Sequence, residues 1–157
     1  MAFWCSCLGI LLLDQVSKWY IRSNFSVGES TSLINGWLRI EYTENAGAAF
    51  GMFQGARWIF VMISVAFIGL AIFLYPRIQG FGWPVVTALG VTMGGTMGNL
   101  VDRFIRGTVT DFICVKYFPA IFNLADTAIV VGVTVLVVVS VLHRDRVEVP
   151  VVRQQDL

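Results

Sequence analysis

A chain of 157 residues that is 57% hydrophobic and only 13% charged, with a mean hydropathy of +0.75, is too apolar for an ordinary soluble domain, which carries about 25% charged residues. Its formal net charge of +1 lacks the basic excess of a nucleic-acid binder, so no nucleic-acid partner is expected. The length allows one domain, and the three cysteines, Cys5, Cys7 and Cys114, have no metal-ligand spacing.

Four apolar stretches, over about 2–21, 58–75, 83–101 and 124–142, match the ~20 residues needed to cross a bilayer core. They predict an all-α membrane protein with four transmembrane helices and a small β-sheet after the first. The first stretch lacks a basic leading region, and Asp14 and Lys18 interrupt it where a signal peptide would be apolar. It therefore reads as a retained helix, with Cys5 and Cys7 as small buried hydrophobes.

On that helix Asp14 and Lys18 are four apart and share a face, so they can pair. Lys18 is expected to snorkel towards the interface, with Trp19 and Tyr20 as belt residues. Anchoring is the plainer role for the pair; a direct role at a site is the alternative. The polar segment over about 22–57 contains Asn35-Gly36, a hairpin signal. After it, WLRIEYT alternates, with Leu38, Ile40 and Tyr42 on one face and Arg39, Glu41 and Thr43 on the other. The following NAGAAFG (45–51) is short of bulk, which suits close backbone approach to a helix or a substrate, and Asn45 offers both donors and an acceptor.

The second helix, uncharged between Arg57 and Arg77, reads as lipid-facing scaffold, and 76–82 as a short turn. Gly90, Gly94, Gly95 and Gly98 in the third helix form small-xxx-small patterns that mark close helix packing. Asn99, Asp102 and Arg103 share a face near its end, where Arg103 or Arg106 is expected to neutralise Asp102. Asp111 lies in GTVTDFICV, a β-prone run whose nearest cation along the chain is Arg106. Asn123 is placed to cap the fourth helix, with Asp126 at its third position, where the helix terminus favours a negative charge. Residues 147–157 read as a loose tail.

Residues 94–126 thus hold three carboxylates, Asp102, Asp111 and Asp126, beside the most apolar parts of the chain. A carboxylate there is costly and needs a partner or a function. Two that share a proton can divide acid and base work, which points to a proteolytic site in a membrane protein. Intramembrane carboxylates also mark ion pathways, but a transporter would be expected to show inverted repeats, and the sequence has no internal repeat. A purely structural bundle leaves Asp111, Asn99 and Asn123 without a role.

Taken in order, DQVSK (14–18), NAGAAFG (45–51), GGTMGNLVDR (94–103), GTVTDF (107–112) and FNLAD (122–126) make the chain resemble bacterial signal peptidase II, a family of aspartyl lipoprotein signal peptidases of the inner membrane. The resemblance implies a catalytic dyad of Asp111 and Asp126. It implies a supporting set of Asp14, Lys18, Asn45, Gly47, Ala49, Asn99, Asp102, Arg103, Asn123 and Ala125. It implies no covalent intermediate, no metal and no cofactor; the single histidine, His143, stands at the far end of the fourth helix, and no HExxH is present. The implied substrate is a diacylglyceryl-modified prolipoprotein, cut just before the lipidated cysteine. The implied protein is a monomer in contact with membrane lipid. One peptidase domain over 1–146 would carry an extracytoplasmic β-cradle over about 22–57, and 147–157 would be a cytoplasmic tail. Both termini would be cytoplasmic and the site near the outer surface, whereas a positive-inside count on these spans places the termini outside.

Overall fold

Each apolar stretch forms a helix, and most run further than the apolar sequence alone. The computed structural model describes residues 1–47 and 52–144, in which α1 spans Ala2–Asn24, α2 Arg57–Ile78, α3 Trp83–Arg106 and α4 Leu124–Arg144. The starts fall within a residue of expectation. The ends of α1 and α3 run on because polar residues continue the helical hydrogen bonding beyond the apolar sequence. α3 stops at Gly107, whose left-handed φ of 87° lets its N–H reach the Arg103 carbonyl. α2 continues past Pro76 to Ile78 and then tightens into a 3-10 turn, Gln79–Phe81, so the turn expected over 76–82 begins at Gln79.

Among the described residues, two segments are by length and composition apolar enough to cross a membrane, Arg57–Phe81 (mean hydropathy 2.5) and Leu124–Leu142 (2.4). α1 and α3 instead carry charged residues towards their ends: Asp14, Lys18 and Arg22 on one, Asp102, Arg103 and Arg106 on the other.

The fold is mostly helical rather than all-α, because a four-stranded antiparallel sheet of order β1-β2-β3-β4 lies at one end of the bundle. β1 (Ser30–Ile34) and β2 (Leu38–Asn45) come from the segment after α1. β3 (Val109–Val115) and β4 (Ile121–Phe122) come from the α3–α4 connection, so the sheet is not confined to 22–57. Asn35 and Gly36 turn the first hairpin with φ of 35° and 76°. Tyr42 is buried against Ile21 of α1 and Phe112 of β3, as the alternation in β2 requires. That cluster seats the sheet on the bundle.

α3 is the central helix, packed by α1, α2 and α4. Its glycines are what permit this. A Cβ at Gly90 would run into the Phe3 carbonyl and Ser6 Oγ, one at Gly94 into the Cys7 carbonyl, and one at Gly98 into the Asp14 carboxylate. Gly95 faces the Ala125 carbonyl of α4 instead. Gly90, Gly94 and Gly98 therefore serve the α1 contact, and Gly95 and Gly98 the α4 contact. Cys7 is buried in the core with Phe3 and Met93. Cys5, contrary to expectation, is exposed, because two residues along a helix is more than half a turn. The tail, 147–157, lies outside the described residues.

Gly94→Val should destabilise the fold by about 1–3 kcal/mol or more, since the intruding atoms meet backbone that cannot rotate away. Gly69→Val on α2, where an added Cβ meets nothing within 4 Å, should leave unfolding unchanged. Thermal unfolding of the two purified variants in detergent checks the contrast.

Candidate active site

The site is built outward from a buried chain of charges. Lys18 is 0% exposed, and its ammonium reaches Asp14 Oδ2 at 2.8 Å, Asp102 Oδ2 at 3.2 Å and Asn99 Oδ1 at 2.9 Å. Its three donors are thereby matched by three acceptors. Lys18 does not snorkel; two carboxylates on its own face and on α3 hold it inward. Asp102 is neutralised from α1, by Lys18 and by Arg22 at 3.5 Å, rather than by Arg103 or Arg106. Arg103 is one residue round the helix from Asp102 and faces the cavity described below, and Arg106 is exposed.

Each acidic member then reaches a further element. Asp14 Oδ1 accepts the Ala125 N–H at 3.0 Å, satisfying one of the unpaired donors at the start of α4. Ala125 is fully buried and its Cβ lies close to Gly98, which leaves no room for a larger residue. Asp102 Oδ2 accepts the Thr110 N–H of β3 at 3.2 Å.

Three asparagines carry this order to the remaining two carboxylates. An ammonium only donates, so the Asn99 oxygen must face Lys18; its Nδ2 then donates to Asp126 Oδ1 at 2.7 Å. Asn123 caps α4, its Oδ1 accepting the Asp126 N–H at 2.9 Å, and its own N–H meets Asp126 Oδ2 at 3.3 Å. That reciprocal pair is a capping box. With its oxygen so committed, the Asn123 amide donates to Asp111 Oδ1 at 2.6 Å. Asn45 Oδ1 accepts the Gly47 N–H, and Nδ2 donates to Asp111 Oδ2 at 2.9 Å. Asp126 is thus a capping carboxylate and more, because Asn99 also holds it from α3.

Asp111 and Asp126 both line a cavity of about 610 Å³ with Asn45, Gly47, Asn99 and Arg103. Apart from Thr127, the rest of its wall is apolar and includes Phe118, Ile121, Phe122 and Ile129. Arg103 donates to the Gly47 carbonyl at 3.2 Å and lies over the Phe60 ring at 4.8 Å. Burial, and after it the charge of Asp126, pushes the Asp111 carboxyl up to about 6; the asparagine donors and Lys18 oppose this less strongly. Two adjacent carboxyls in different environments can hold one proton between them and serve as acid and base.

Of the residues singled out in the sequence, Asp14, Lys18, Asn45, Gly47, Asn99, Asp102, Arg103, Asp111, Asn123, Ala125 and Asp126 converge in this one network. Ala49 lies outside the described residues. The sequence reading missed Arg22 and Thr110. Arg22 follows Lys18 by four and Asp14 by eight, so a stripe of charge at helical spacing was its signal.

A family model described as signal peptidase (SPase) II matches residues 6–142. The chain is 39% identical to the lipoprotein signal peptidase of Syntrophomonas wolfei subsp. wolfei over 148 residues, covering 94% of this chain and 98% of that protein. It is 37% identical to the lipoprotein signal peptidase of Desulfitobacterium hafniense over 148 residues, covering 94% and 97%. Among solved structures, two bacterial membrane enzymes studied by the in meso method are similar. One has a TM-score of 0.86 at 23% identity, covering 97% of this chain and 92% of that one; the other has 0.78 at 27%, covering 85% and 88%.

The raised Asp111 pKa favours its neutral form in the folded protein. The stability this contributes is full below the ordinary value of 3.8 and is lost as pH rises through about 6, a difference on the order of 3 kcal/mol. Asp111→Asn should therefore lose less stability than the unsubstituted protein between pH 4 and pH 7. Chemical unfolding at both pH values reads that slope, whatever constant offset the substitution brings.

Proposed function

Because the chain belongs to the signal peptidase II family and is a protease that removes signal peptides from prolipoproteins, we propose that Asp111 and Asp126 are the pair that performs the hydrolysis. The observation that carries the assignment is the placement of two carboxylates, from a strand and from a helix start, on the polar end of one otherwise apolar cavity. Each is held by amide donors whose other ends are committed elsewhere.

In this reading Asp126, partly exposed on the cavity wall, is the base and takes a proton from water as it attacks the scissile carbonyl. Asp111, with its raised pKa, carries the proton, polarises the carbonyl oxygen and then protonates the leaving amine. Water is the nucleophile, so no acyl-enzyme forms, in contrast to serine or cysteine peptidases. Arg103 and the Gly47 carbonyl beside the dyad are placed to orient the peptide.

The substrate in this reading carries diacylglycerol on the cysteine that follows the cut. The apolar wall supports it, and so does the way the cavity runs onto the outside of α4. Val130 and Val131 line the cavity yet are 65% and 53% exposed, so it opens sideways towards lipid. We read all four helices as spans. Trp4, Leu8, Leu12, Val16 and Trp19 form an exposed apolar stripe down α1 at the three- and four-residue spacing of one helix face. α3 is sheltered by its neighbours rather than by lipid. Four spans put both termini on one side and the sheet on the other. On the family likeness we take the first side to be the cytoplasm and the membrane to be the bacterial inner membrane, with the protein acting as a monomer.

Asp111→Asn and Asp126→Asn should each lower cleavage of a purified diacylated prolipoprotein by about 100-fold or more, the scale of acid–base catalysis. Both variants should keep the fold, and EDTA should leave the unsubstituted enzyme unaffected. Mass analysis of the products gives the cut position. Near-normal turnover by either variant sinks the dyad.

A further inference from the structure

We propose that Arg22 is a positioning residue for the reaction, holding Asp111 in place through Thr110; this rests on the dyad reading above. Arg22 sits in the last turn of α1. One of its guanidinium nitrogens, Nη1, faces Asp102 Oδ1 at 3.5 Å and donates to Thr110 Oγ1 at 3.0 Å. The Thr110 N–H is held by the other Asp102 oxygen at 3.2 Å. Backbone and side chain of Thr110 are thus both tied to the helix bundle, and Thr110 is 2% exposed.

Neighbouring residues of a strand point to opposite sides. With Thr110 turned to the charge chain, Asp111 is turned to Asn45 and Asn123 and to the cavity. A slip at Thr110 moves the next Cα and with it the carboxyl, whose amide bonds of 2.6 and 2.9 Å leave little tolerance. Arg22 shares the Asp102 carboxylate with Lys18, and Arg106, Tyr42 and Asp14 are the other charged or titratable groups that act on it. Neither dyad member is among them, so Arg22 acts through the strand and not on the reacting atoms.

Charge balance alone does not explain an arginine here. A lysine would offset Asp14 and Asp102 together with Lys18 equally well. Moreover, the Arg22 Nε is buried with no hydrogen-bond partner, a cost a lysine would avoid. Both contacts are made by one nitrogen, Nη1, whose N–H directions the planar guanidinium fixes, whereas a lysine ammonium is a freely rotating point charge.

The test compares steady-state cleavage of a purified diacylated prolipoprotein by the full-length protein and by Arg22→Lys, Thr110→Val and the double variant, with Asp111→Asn as the inactive reference. Valine keeps the shape of threonine and removes only the hydroxyl. Each single variant should lower kcat about tenfold or more, the scale of a small misplacement of a reacting group. KM should stay within about twofold. The double variant should be no slower than the slower single, because both act on one path. Unchanged kcat in Arg22→Lys, or losses that multiply in the double, overturns the inference. Should Arg22→Lys fail to fold, Thr110→Val decides alone, and retention of its kcat overturns the inference. Normal turnover by Asp111→Asn would instead remove the dyad reading beneath it.

Discussion

Everything at this site depends on keeping four ionic groups neutral as a set inside an apolar bundle. Asp14, Lys18 and Asp102 are at most 1% exposed, and the Arg22 side chain is 13% exposed. Burying any of them alone would be prohibitive. Together, two acids and two bases cancel, and removing one partner from such a set costs about 3–5 kcal/mol because the other stays buried and charged. The set also has structural reach. One carboxylate holds the start of α4 and the other holds β3. Three helices and the sheet are therefore registered against one another by ionic contacts that tolerate little displacement.

Direction is the second thing the chain of charges supplies. A neutral amide can present either end to a carboxyl, and the wrong end would repel it. Lys18 settles the choice for Asn99, the α4 N–H groups settle it for Asn123, and the Gly47 N–H settles it for Asn45. Every free NH2 then points at Asp111 or Asp126. The glycine stripe on α3 is a condition for this as much as a packing device, since a side chain at Gly98 would occupy the place of the Asp14 carboxylate.

What the sequence disclosed follows from which interactions are local. Hydropathy located all four helices, and the start of α4 with its Asn123–Asp126 cap could be read because capping spans three residues. The Asn35-Gly36 turn and the alternation of β2 are equally local. Hydropathy failed at the far ends of α1 and α3, because it reports where apolar surface stops and not where helical hydrogen bonding stops. The two-residue β4 is too short to show a period, so the second half of the sheet went unseen although GTVTDFICV looked β-prone. The partners of Asp102 were misread for a related reason. Arg103 and Arg106 are near in sequence, whereas Lys18 and Arg22 lie on another helix, and no pattern along the chain connects them. The cost of three carboxylates beside apolar sequence drew attention to Asp102, Asp111 and Asp126, but which two form the dyad, and which residues support it, came from five motifs in order.

The apolar part of the cavity sets a different constraint from the polar end. In the proposed reading a lipidated segment arriving from the bilayer would exchange one apolar environment for another, so acyl contacts with Phe118, Phe122 or Ile129 would yield little net hydrophobic gain. Such contacts can exclude unlipidated chains and align the substrate, but they cannot supply the chemistry. In that reading the chemistry falls to the few polar groups at the polar end of the cavity, which would act in a low dielectric, where a well-aimed hydrogen bond is strong and a badly aimed one is costly. With Asp111 and Asp126 as the proposed dyad, a rigid scaffold behind them is then a requirement of the reaction. In this chain the scaffold is the buried charge set of Asp14, Lys18, Asp102 and Arg22, whose contacts reach Thr110, one residue short of Asp111.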